Sequence, residues 1–134
     1  MQTAESRSPG TQAAPSLAVL RCGACGKPTY PASAYGCQYC GAEPERGTVE
    51  QMPARGTLRN YVTVHAPLVR DMPPPFVVGE VDFAEGIREE VLLDVASEAE
   101  LAPGMTVQGV IRADAPCGDR YPLRFVPASQ EVQR

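Results

Sequence analysis

Four cysteines, arranged as two Cys-x-x-Cys pairs, are the side chains whose types and spacing could do chemistry. Cys22 and Cys25 form the first pair, and Cys37 and Cys40 form the second. Each pair can make one tight turn in which two thiolates face a single ion, and two such turns close a tetrahedral cage. A glycine follows the second cysteine of each pair and lets backbone N–H groups turn toward the sulfurs. The spacing therefore predicts a metal site built from four sulfurs.

Zinc is the expected ion, because four thiolates fill its coordination positions and leave none for a substrate. The site would be structural, and it would stabilise a segment too short to bury a core of its own. The same cage suits iron, so a rubredoxin-like electron carrier stays open as an alternative. Residues 1–14 contain no apolar run typical of a signal peptide, and no stretch reaches transmembrane length. We therefore expect reduced thiols and a cytoplasmic location.

The composition limits the remaining chemistry. The 134 residues include 14 prolines and 12 glycines, which argue against a helical bundle, and the net charge of −4 argues against a general polyanion binder. Cys117 has no histidine near it in the sequence, so we interpret it as a spare thiol rather than a nucleophile. His65 is the one histidine, and we interpret it as a surface or interface residue rather than a general base.

The chain divides into four parts. Residues 1–16 are rich in Ser, Thr, Gln, Pro and Ala and are predicted to be a disordered tail, with a second tail at 129–134. Residues 17–45 contain both cysteine pairs and are predicted to form a zinc ribbon on short antiparallel strands. Residues 46–128 are predicted to form a second domain, with Thr48–Met52 as a transition segment at its start.

The second domain is predicted to contain five strands in which apolar residues recur at every second position. These strands are Thr57–His65, Phe76–Phe83, Ile87–Val95, Met105–Ala113 and Tyr121–Val126. On the first strand, Leu58, Val62 and Val64 are expected to share the buried face. On the fourth strand, Val107 and Ile111 are expected to do the same, with Met105 beside them.

Turn signals separate these strands. The sequence Ala84-Glu-Gly86 predicts a hairpin in which Gly86 supplies a positive φ. Ser97, with Glu100 three residues later, predicts the cap of a single helical turn between the third and fourth strands. Five strands with this helical element match the order of an OB-fold barrel. The predicted fold class is therefore mainly β: a rubredoxin-like zinc ribbon followed by a five-stranded OB-fold barrel.

The order of several phrases resembles one protein family. The phrases are the two cysteine pairs, then Arg55–His65, Pro73–Gly86, Leu101–Val107 and Leu123–Pro127. Together they resemble the zinc-ribbon/OB-fold accessory proteins of acyl-CoA metabolism, a family long catalogued as a domain of unknown function. The resemblance covers residues 17–128. The chain departs from the family pattern at Gln38, where relatives often have proline, and in having a short tail where many relatives have helices before the ribbon.

The resemblance implies a non-catalytic function. Members of the family are small partners of thiolase-like enzymes, of hydroxymethylglutaryl-CoA synthases, and of hydratase- or aldolase-type enzymes that act on CoA thioesters. A thiolase-type partner is our first expectation, in a heterotetramer of two copies of each chain. The accessory subunit would stabilise the partner and help to hold or channel the CoA thioester.

Arginines on and near the first barrel strand are candidates for contacts with the phosphates of CoA. They are Arg55, Arg59 and Arg70. Guanidinium groups bind phosphate by paired hydrogen bonds, although a solvated strand face or a salt bridge to a partner would explain the same residues. The three prolines Pro73–Pro75, with Phe76 after them, are a candidate docking edge, because prolines limit the entropy lost when a loop is ordered on binding.

A different function class also stays open. Zinc ribbons and OB barrels both bind single-stranded nucleic acid in other proteins. The acidic net charge and the single lysine, Lys27, argue against nucleic acid as a partner of this chain. Acidic residues on the central hairpin are interpreted as a solvated strand face rather than a second metal site; they are Glu80, Asp82, Glu85, Glu89 and Glu90.

Overall fold

The computed structural model describes residues 15–128 and begins with a three-stranded antiparallel sheet. Its strands are β1 (Ser16–Cys22), β2 (Pro28–Thr29) and β3 (Gly47–Pro53), in the order β2-β1-β3. β1 and β3 pair along their whole length. The predicted transition segment, Thr48–Met52, is therefore part of a strand in this sheet, and the sheet extends beyond residue 45 to Pro53.

Two predicted segments lie largely outside the described residues. They are the tail at 129–134 and the first 14 residues of the tail predicted at 1–16, whereas Ser16 already belongs to β1. Within residues 15–128, no helix is long and apolar enough to cross a membrane.

The second sheet closes into a barrel of five strands, as the sequence predicted. They are β4 (Arg55–Val64), β5 (Phe76–Asp82), β6 (Arg88–Leu93), β7 (Thr106–Ile111) and β8 (Leu123–Pro127). The order around the barrel is β4-β5-β6-β8-β7, with β7 returning to β4. All neighbours are antiparallel except β6 and β8, which are parallel. This is the mainly β, five-stranded OB-fold arrangement that the strand pattern predicted.

A bulge in β4 changes which side chains face the core. The register between β4 and β5 shifts between Leu58 and Asn60. Leu58 is buried as predicted, but Val62 is 58% exposed, and Tyr61 packs against the core instead. The extra residue of a bulge reverses the alternation of every side chain that follows it on the strand. The prediction that Val62 faces inward was therefore wrong.

The fourth barrel strand also ends differently from its prediction. Val107 is fully buried in β7, as expected, but Ile111 is 52% exposed. Ile111 is the last residue of β7 and pairs with Leu123, the first residue of β8. Ile111 lies at the open end of the barrel, where a side chain on the inner face still reaches solvent. Alternation alone therefore predicts too many core residues.

One apolar core joins the two sheets. Barrel residues such as Leu58, Val81 and Phe125 pack in the same cluster as Leu17 from β1 and Met52 from β3. Phe125 lies at the centre and stacks in a tilted geometry on Phe83, with ring centroids 5.7 Å apart. The inner side of the ribbon sheet therefore packs against the barrel and shares its core.

Short turns connect the barrel strands where the sequence predicted them. A 3₁₀ turn at Ala84–Gly86 links β5 to β6, and Gly86 has a φ of 81°. A second 3₁₀ turn lies at Glu98–Glu100, and the Ser97 hydroxyl caps it by accepting a hydrogen bond from the N–H of Ala99. A third lies in the ribbon at Pro44–Arg46, directly before β3.

Candidate functional site: a four-cysteine metal centre

The four cysteine sulfurs of the two predicted pairs converge at one point. All four Sγ atoms lie within 4.8 Å of one another. The Sγ atoms of Cys22 and Cys40 are 3.6 Å apart, and those of Cys25 and Cys37 are 3.5 Å apart. A tetrahedron with metal–sulfur bonds of about 2.3 Å has sulfur–sulfur edges of roughly 3.8 Å. The arrangement therefore fits a four-coordinate metal ion.

The two turns that carry these sulfurs are built alike. In the first, the N–H of Gly26 donates to the carbonyl of Cys22 at 3.0 Å; in the second, the N–H of Gly41 donates to the carbonyl of Cys37 at 2.9 Å. Both glycines have φ near 80°, a conformation that an L side chain rarely adopts. The local sequence Cys-x-x-Cys-Gly thus folds twice into the same turn, and β1 and β2 hold the first copy in place.

Backbone N–H groups point at the sulfurs and change their acidity. The N–H of Cys25 is 3.4 Å from the Sγ of Cys22 and lowers the pKa of that thiol. The N–H of Cys40 lowers the pKa of Cys37 to about 6. The N–H of Ala42 acts in the same direction on Cys40, but the neighbouring sulfurs outweigh it and raise the pKa of Cys40 to about 11. The cluster therefore shares negative charge, and a bound cation is what would let all four sulfurs be thiolates.

Burial divides the four ligands into an inner and an outer pair. Cys22 and Cys37 are buried, whereas Cys25 and Cys40 are exposed, and none of the four is in a disulfide. With four protein sulfurs on one ion, the site has no open position at which a substrate could bind. A metal ion held there would cross-link the two cysteine turns.

Two of the predicted phosphate-binding arginines have protein partners. The Nη1 of Arg55 donates to the Oε1 of Gln108 at 3.0 Å, across the β4–β7 pairing. The Nη1 of Arg59, in the β4 bulge, donates to the carboxylate of Asp82 at 3.0 Å. Asp82 also accepts from the Nε of Arg88 at 2.7 Å, so it bridges two guanidinium groups.

Arg70 lies in the loop between β4 and β5. Its side chain is exposed, and its carbonyl accepts hydrogen bonds from the Sγ of Cys117 and the Nη2 of Arg120. The Sγ of Cys117 is also 3.3 Å from the Nη2 of Arg120. Among the described residues, these contacts tie the loop after β7 to the loop after β4, and Cys117 contacts no side chain that could act as its base.

A groove of about 650 Å³ opens beside these loops. His65 lines it together with the proline loop, Phe76 and the segment that follows β6. OB folds bind their ligands with the loops at this end of the barrel. The structure therefore brings His65 and Phe76 to one cavity, which the sequence pattern did not indicate.

Arg124 is a lining residue of this groove that sequence reasoning missed. It is buried in β8, where its Nε donates to the carbonyl of Tyr121 at 3.1 Å and its Nη2 donates to the carbonyl of Pro116. Within residues 15–128, it has no carboxylate partner at salt-bridge distance. A lone arginine between apolar strand residues gives no sequence signal of burial, because arginine on a strand usually faces water.

Comparison with known proteins supports the same architecture. Residues 49–112 match the family model described as ChsH2, C-terminal OB-fold domain. Among solved structures, the chain is similar to a chain of one named "Ltp2-ChsH2(DUF35) aldolase", with 24% sequence identity and a TM-score of 0.65. The match covers 84% of this chain and 85% of that one, and at this identity it shows the shared fold. No curated protein matches the chain.

The family match covers part of β3 and four of the five barrel strands, β4 to β7, and the barrel topology agrees with it. The structural likeness extends over most of the chain, and the four clustered cysteines complete the ribbon that the sequence predicted before the barrel. Residues 49–112 of this chain are thus similar to the C-terminal OB-fold domain of ChsH2, and the structural likeness shows that the fold is shared.

Proposed function

We propose that this chain is a non-catalytic accessory subunit of an enzyme complex that acts on CoA thioesters. The match of residues 49–112 to the ChsH2 OB-fold domain carries this proposal. The similar solved structure is named for an aldolase and for two components, Ltp2 and ChsH2, which supports a role for this fold within a complex. The sequence resemblance to accessory proteins of acyl-CoA metabolism points in the same direction.

The chemistry of the site agrees with a role that is not catalytic. The cysteine cluster offers a metal ion four sulfurs, and such a closed site stabilises structure rather than activating a substrate. Cys117 donates its hydrogen to a backbone carbonyl. A nucleophilic cysteine requires a neighbouring base, and the groove that contains His65 does not include Cys117 in its lining.

Zinc is the ion that we propose for the cluster. Four thiolates in a tetrahedral arrangement suit zinc, and iron would suit them as well. Elemental analysis of the purified protein distinguishes the two, since ferric iron bound by four thiolates is also strongly coloured. One zinc per chain in a colourless protein is the expected result, and bound iron would support the electron-carrier alternative.

The catalytic partner is proposed to be a thiolase-type enzyme, with an aldolase, a hydratase or a hydroxymethylglutaryl-CoA synthase as the alternative. The name of the similar structure favours the aldolase alternative. Thiolase-type enzymes are usually dimers, so one accessory chain per catalytic chain would give a heterotetramer. We propose a cytoplasmic location for the complex.

The groove beside the proline loop is the region that we propose to lie next to the CoA thioester. Arg70 is exposed in the adjoining loop, and the buried Arg124 places positive charge in the groove wall. Arg55 and Arg59 would have to exchange their present partners, Gln108 and Asp82, for phosphate. Arg70 is therefore the strongest of the three sequence-derived candidates.

Binding of single-stranded nucleic acid is the weaker proposal. An OB fold that binds nucleic acid needs a basic face with aromatic side chains for base stacking. Here the central strands β5 and β6 carry Glu80, Asp82, Glu89 and Glu90. Glu80, Asp82 and Glu90 share the outer face of these strands, where they would repel the phosphates of a nucleic acid.

The decisive experiment is purification of this chain, carrying a tag, from its native cytosol, with mass identification of the proteins that co-purify. Stoichiometric recovery of an acyl-CoA enzyme is the expected result, and its identity would decide between the thiolase and aldolase forms of the proposal. Recovery of the chain alone, or with nucleic acid, would overturn the accessory-subunit proposal. An Arg70→Ala variant that retains the partner but weakens CoA binding would support the phosphate contact.

A further inference from the structure

The barrel is incompletely closed between β6 and β8. β6 pairs with β5 along its whole length, from Arg88 to Leu93, whereas its pairing with β8 involves Leu93 and Phe125 alone. The N-terminal part of β6 therefore has one edge without a neighbouring strand among residues 15–128. An unpaired strand edge presents N–H and C=O groups to whatever lies beside it.

The direction of these backbone groups follows from two hydrogen bonds. The N–H of Asp94 donates to the carbonyl of Phe125, so the backbone of residue 94 faces β8. The N–H of Phe83 donates to the carbonyl of Ile87, so the backbone of residue 87 faces β5. Backbone groups alternate in direction along a strand, with residues two apart facing the same way. The N–H and C=O of Glu90 therefore face the open seam and not β5.

A crevice of about 330 Å³ lies along this open edge. Its apolar wall includes Leu17 from the ribbon and Phe83, Leu123 and Phe125 from the barrel. Tyr30 of the ribbon and Glu89 and Glu90 of β6 line it as well. The crevice thus combines an apolar wall with the open edge of β6 and two carboxylates.

Glu89 is the unusual residue of the crevice. It has the same parity on β6 as Val91 and Leu93, which face the core, and it is only partly exposed. Burial raises the pKa of Glu89, and the neighbouring Glu90 adds to the shift. Within residues 15–128, Glu89 has no cation at salt-bridge distance. Across the crevice, Arg120 is engaged by Asp71 and by Cys117 instead.

We propose that the open edge of β6 receives an extended segment of a partner protein, which adds to the sheet as a strand. The segment would place an apolar side chain against Leu17 and Leu123 and a lysine or arginine against Glu89 and Glu90. Strand addition takes its affinity from main-chain hydrogen bonds and its specificity from pockets for alternate side chains. The crevice supplies both elements.

Charge selects a basic partner strand over a second copy of this chain. An inward-pointing charge on a strand edge disfavours pairing with an identical edge, because like charges would face each other. A basic segment meets the same carboxylates favourably. This proposal rests on the proposed function only in that a partner protein exists. The new elements are the surface that binds the partner and the type of segment that the partner supplies.

The test uses the isotope-labelled, metal-loaded full chain and a model peptide, acetyl-Thr-Lys-Val-Lys-Val-Thr-amide. Saturable NMR shifts at the amides of Glu90 and Leu92, with slower hydrogen exchange of the Glu90 N–H, are the expected result. The analogue with glutamates in place of the lysines should bind at least about tenfold more weakly. The inference fails if no saturable shifts occur on β6 at millimolar peptide, if both peptides bind equally, or if the shifts fall on the exposed edge of β3.

Two variants test the charge and the backbone separately. Glu89→Lys should weaken binding of the basic peptide about tenfold or more, whereas Glu45→Lys, the same change on the exposed turn before β3, should leave binding unchanged. Glu90→Pro removes the seam-facing N–H while sparing the β5 pairing, so it should weaken binding more than Glu90→Ala. Equal binding by Glu90→Pro and Glu90→Ala would exclude strand addition.

The same variants separate this inference from the proposed function. If an acyl-CoA enzyme co-purifies equally with the native chain and with Glu89→Lys, and the peptide does not bind, the function stands and the strand-addition inference fails. If the peptide binds at β6 but no acyl-CoA enzyme co-purifies, the inference stands and the proposed function fails.

Discussion

The cysteine end of the ribbon and the barrel are stabilised by different means. Between residues 23 and 46 only Pro28, Thr29 and Cys37 are buried, and four sulfurs from this region and the end of β1 converge on one point. The barrel instead packs Leu58, Phe125 and other apolar side chains into a dense core. A segment that cannot bury apolar surface needs another source of stability, and a metal ion held by the four cysteines would supply it.

The opposite end of the ribbon belongs energetically to the barrel. Leu17 and Met52 are buried in the common core, and the N–H of Gly109 in β7 donates to the carbonyl of Ala54, directly after β3. The physical division of the molecule therefore runs across the ribbon sheet. The metal end and the core end of the same strands depend on different interactions.

Removal of one metal ligand should have the largest effect on folding, and this effect should be confined to the metal end of the ribbon. We expect Cys22→Ser to abolish metal retention, because structural zinc sites of this kind contribute roughly 10–16 kcal/mol of binding free energy. Residues 23–46 should unfold while the barrel strands and the paired parts of β1 and β3 remain. Elemental analysis gives the metal content, and amide NMR gives the extent of unfolding.

Cys117→Ser is the matched control for that experiment. Cys117 is buried in the loop after β7, away from the cluster, so its substitution should leave the metal content unchanged. If Cys22→Ser instead abolished amide dispersion throughout the barrel, the metal end and the core end would form one cooperative unit, and the division across the ribbon sheet would be wrong.

A cavity at the junction should weaken both sheets together. Leu17→Ala removes a buried side chain of β1 that packs in the barrel core, and such changes cost about 2–5 kcal/mol. Denaturant unfolding followed on probes in both sheets should show one shared transition at lower denaturant concentration. Val49→Ala, at an exposed position of β3, should change the free energy of unfolding by less than about 0.5 kcal/mol. Barrel probes that stayed unchanged in Leu17→Ala would contradict the shared core.

Features encoded within a few residues could be predicted from the sequence. The Cys-x-x-Cys-Gly turns, the positive φ of Gly86 and the cap at Ser97 all depend on neighbouring residues, and the structure confirms each of them. Alternating apolar residues also predicted the five barrel strands. These signals are local, because the turn or strand is selected by the conformational preferences of the residues within it.

Features that depend on distant partners could not be predicted. The bulge after Leu58 is a shift in the register between β4 and β5, and it reversed the expected direction of Val62. Burial of Arg124 depends on carbonyls of the loop after β7, and the crevice beside Glu89 exists because β6 and β8 meet at one residue pair. Such pairings are determined by tertiary packing, which no window of sequence contains.

The ion pair between the ribbon and the barrel hairpin should have a smaller effect than the core. Arg21 donates from Nη1 and Nη2 to the two carboxylate oxygens of Glu85, at 2.7 and 2.8 Å, and also contacts Glu50 at 3.0 Å. Both side chains are partly exposed, so solvent and salt screen the pair. A double-mutant cycle with Arg21→Gln and Glu85→Gln should give a favourable coupling that declines in high salt. A coupling independent of salt would contradict an exposed, screened pair.

A pH-dependent change at Asp82 should be the smallest and should belong to the barrel alone. Hydrogen bonds from Arg88 and then Arg59 lower the pKa of Asp82 below its usual value. A lowered pKa in the folded state stabilises the protein above the unfolded pKa of about 4, and this stabilisation is lost as the pH falls through the folded value. Asp82→Asn should therefore lower stability at neutral pH, and the difference from the native chain should vanish in acid.

Acidification also protonates the cysteine cluster. Thiolates that take up protons release a bound metal ion, so the ribbon would respond to acid as well. The two effects are separated by comparing the native chain with Asp82→Asn on barrel probes only, in the metal-free background of Cys22→Ser. In that background the acid-dependent difference should persist, since Asp82, Arg59 and Arg88 all lie on β4, β5 and β6. If the difference disappeared with the metal, the charges on the barrel surface would depend on the ribbon, and the division across the ribbon sheet would have to be abandoned.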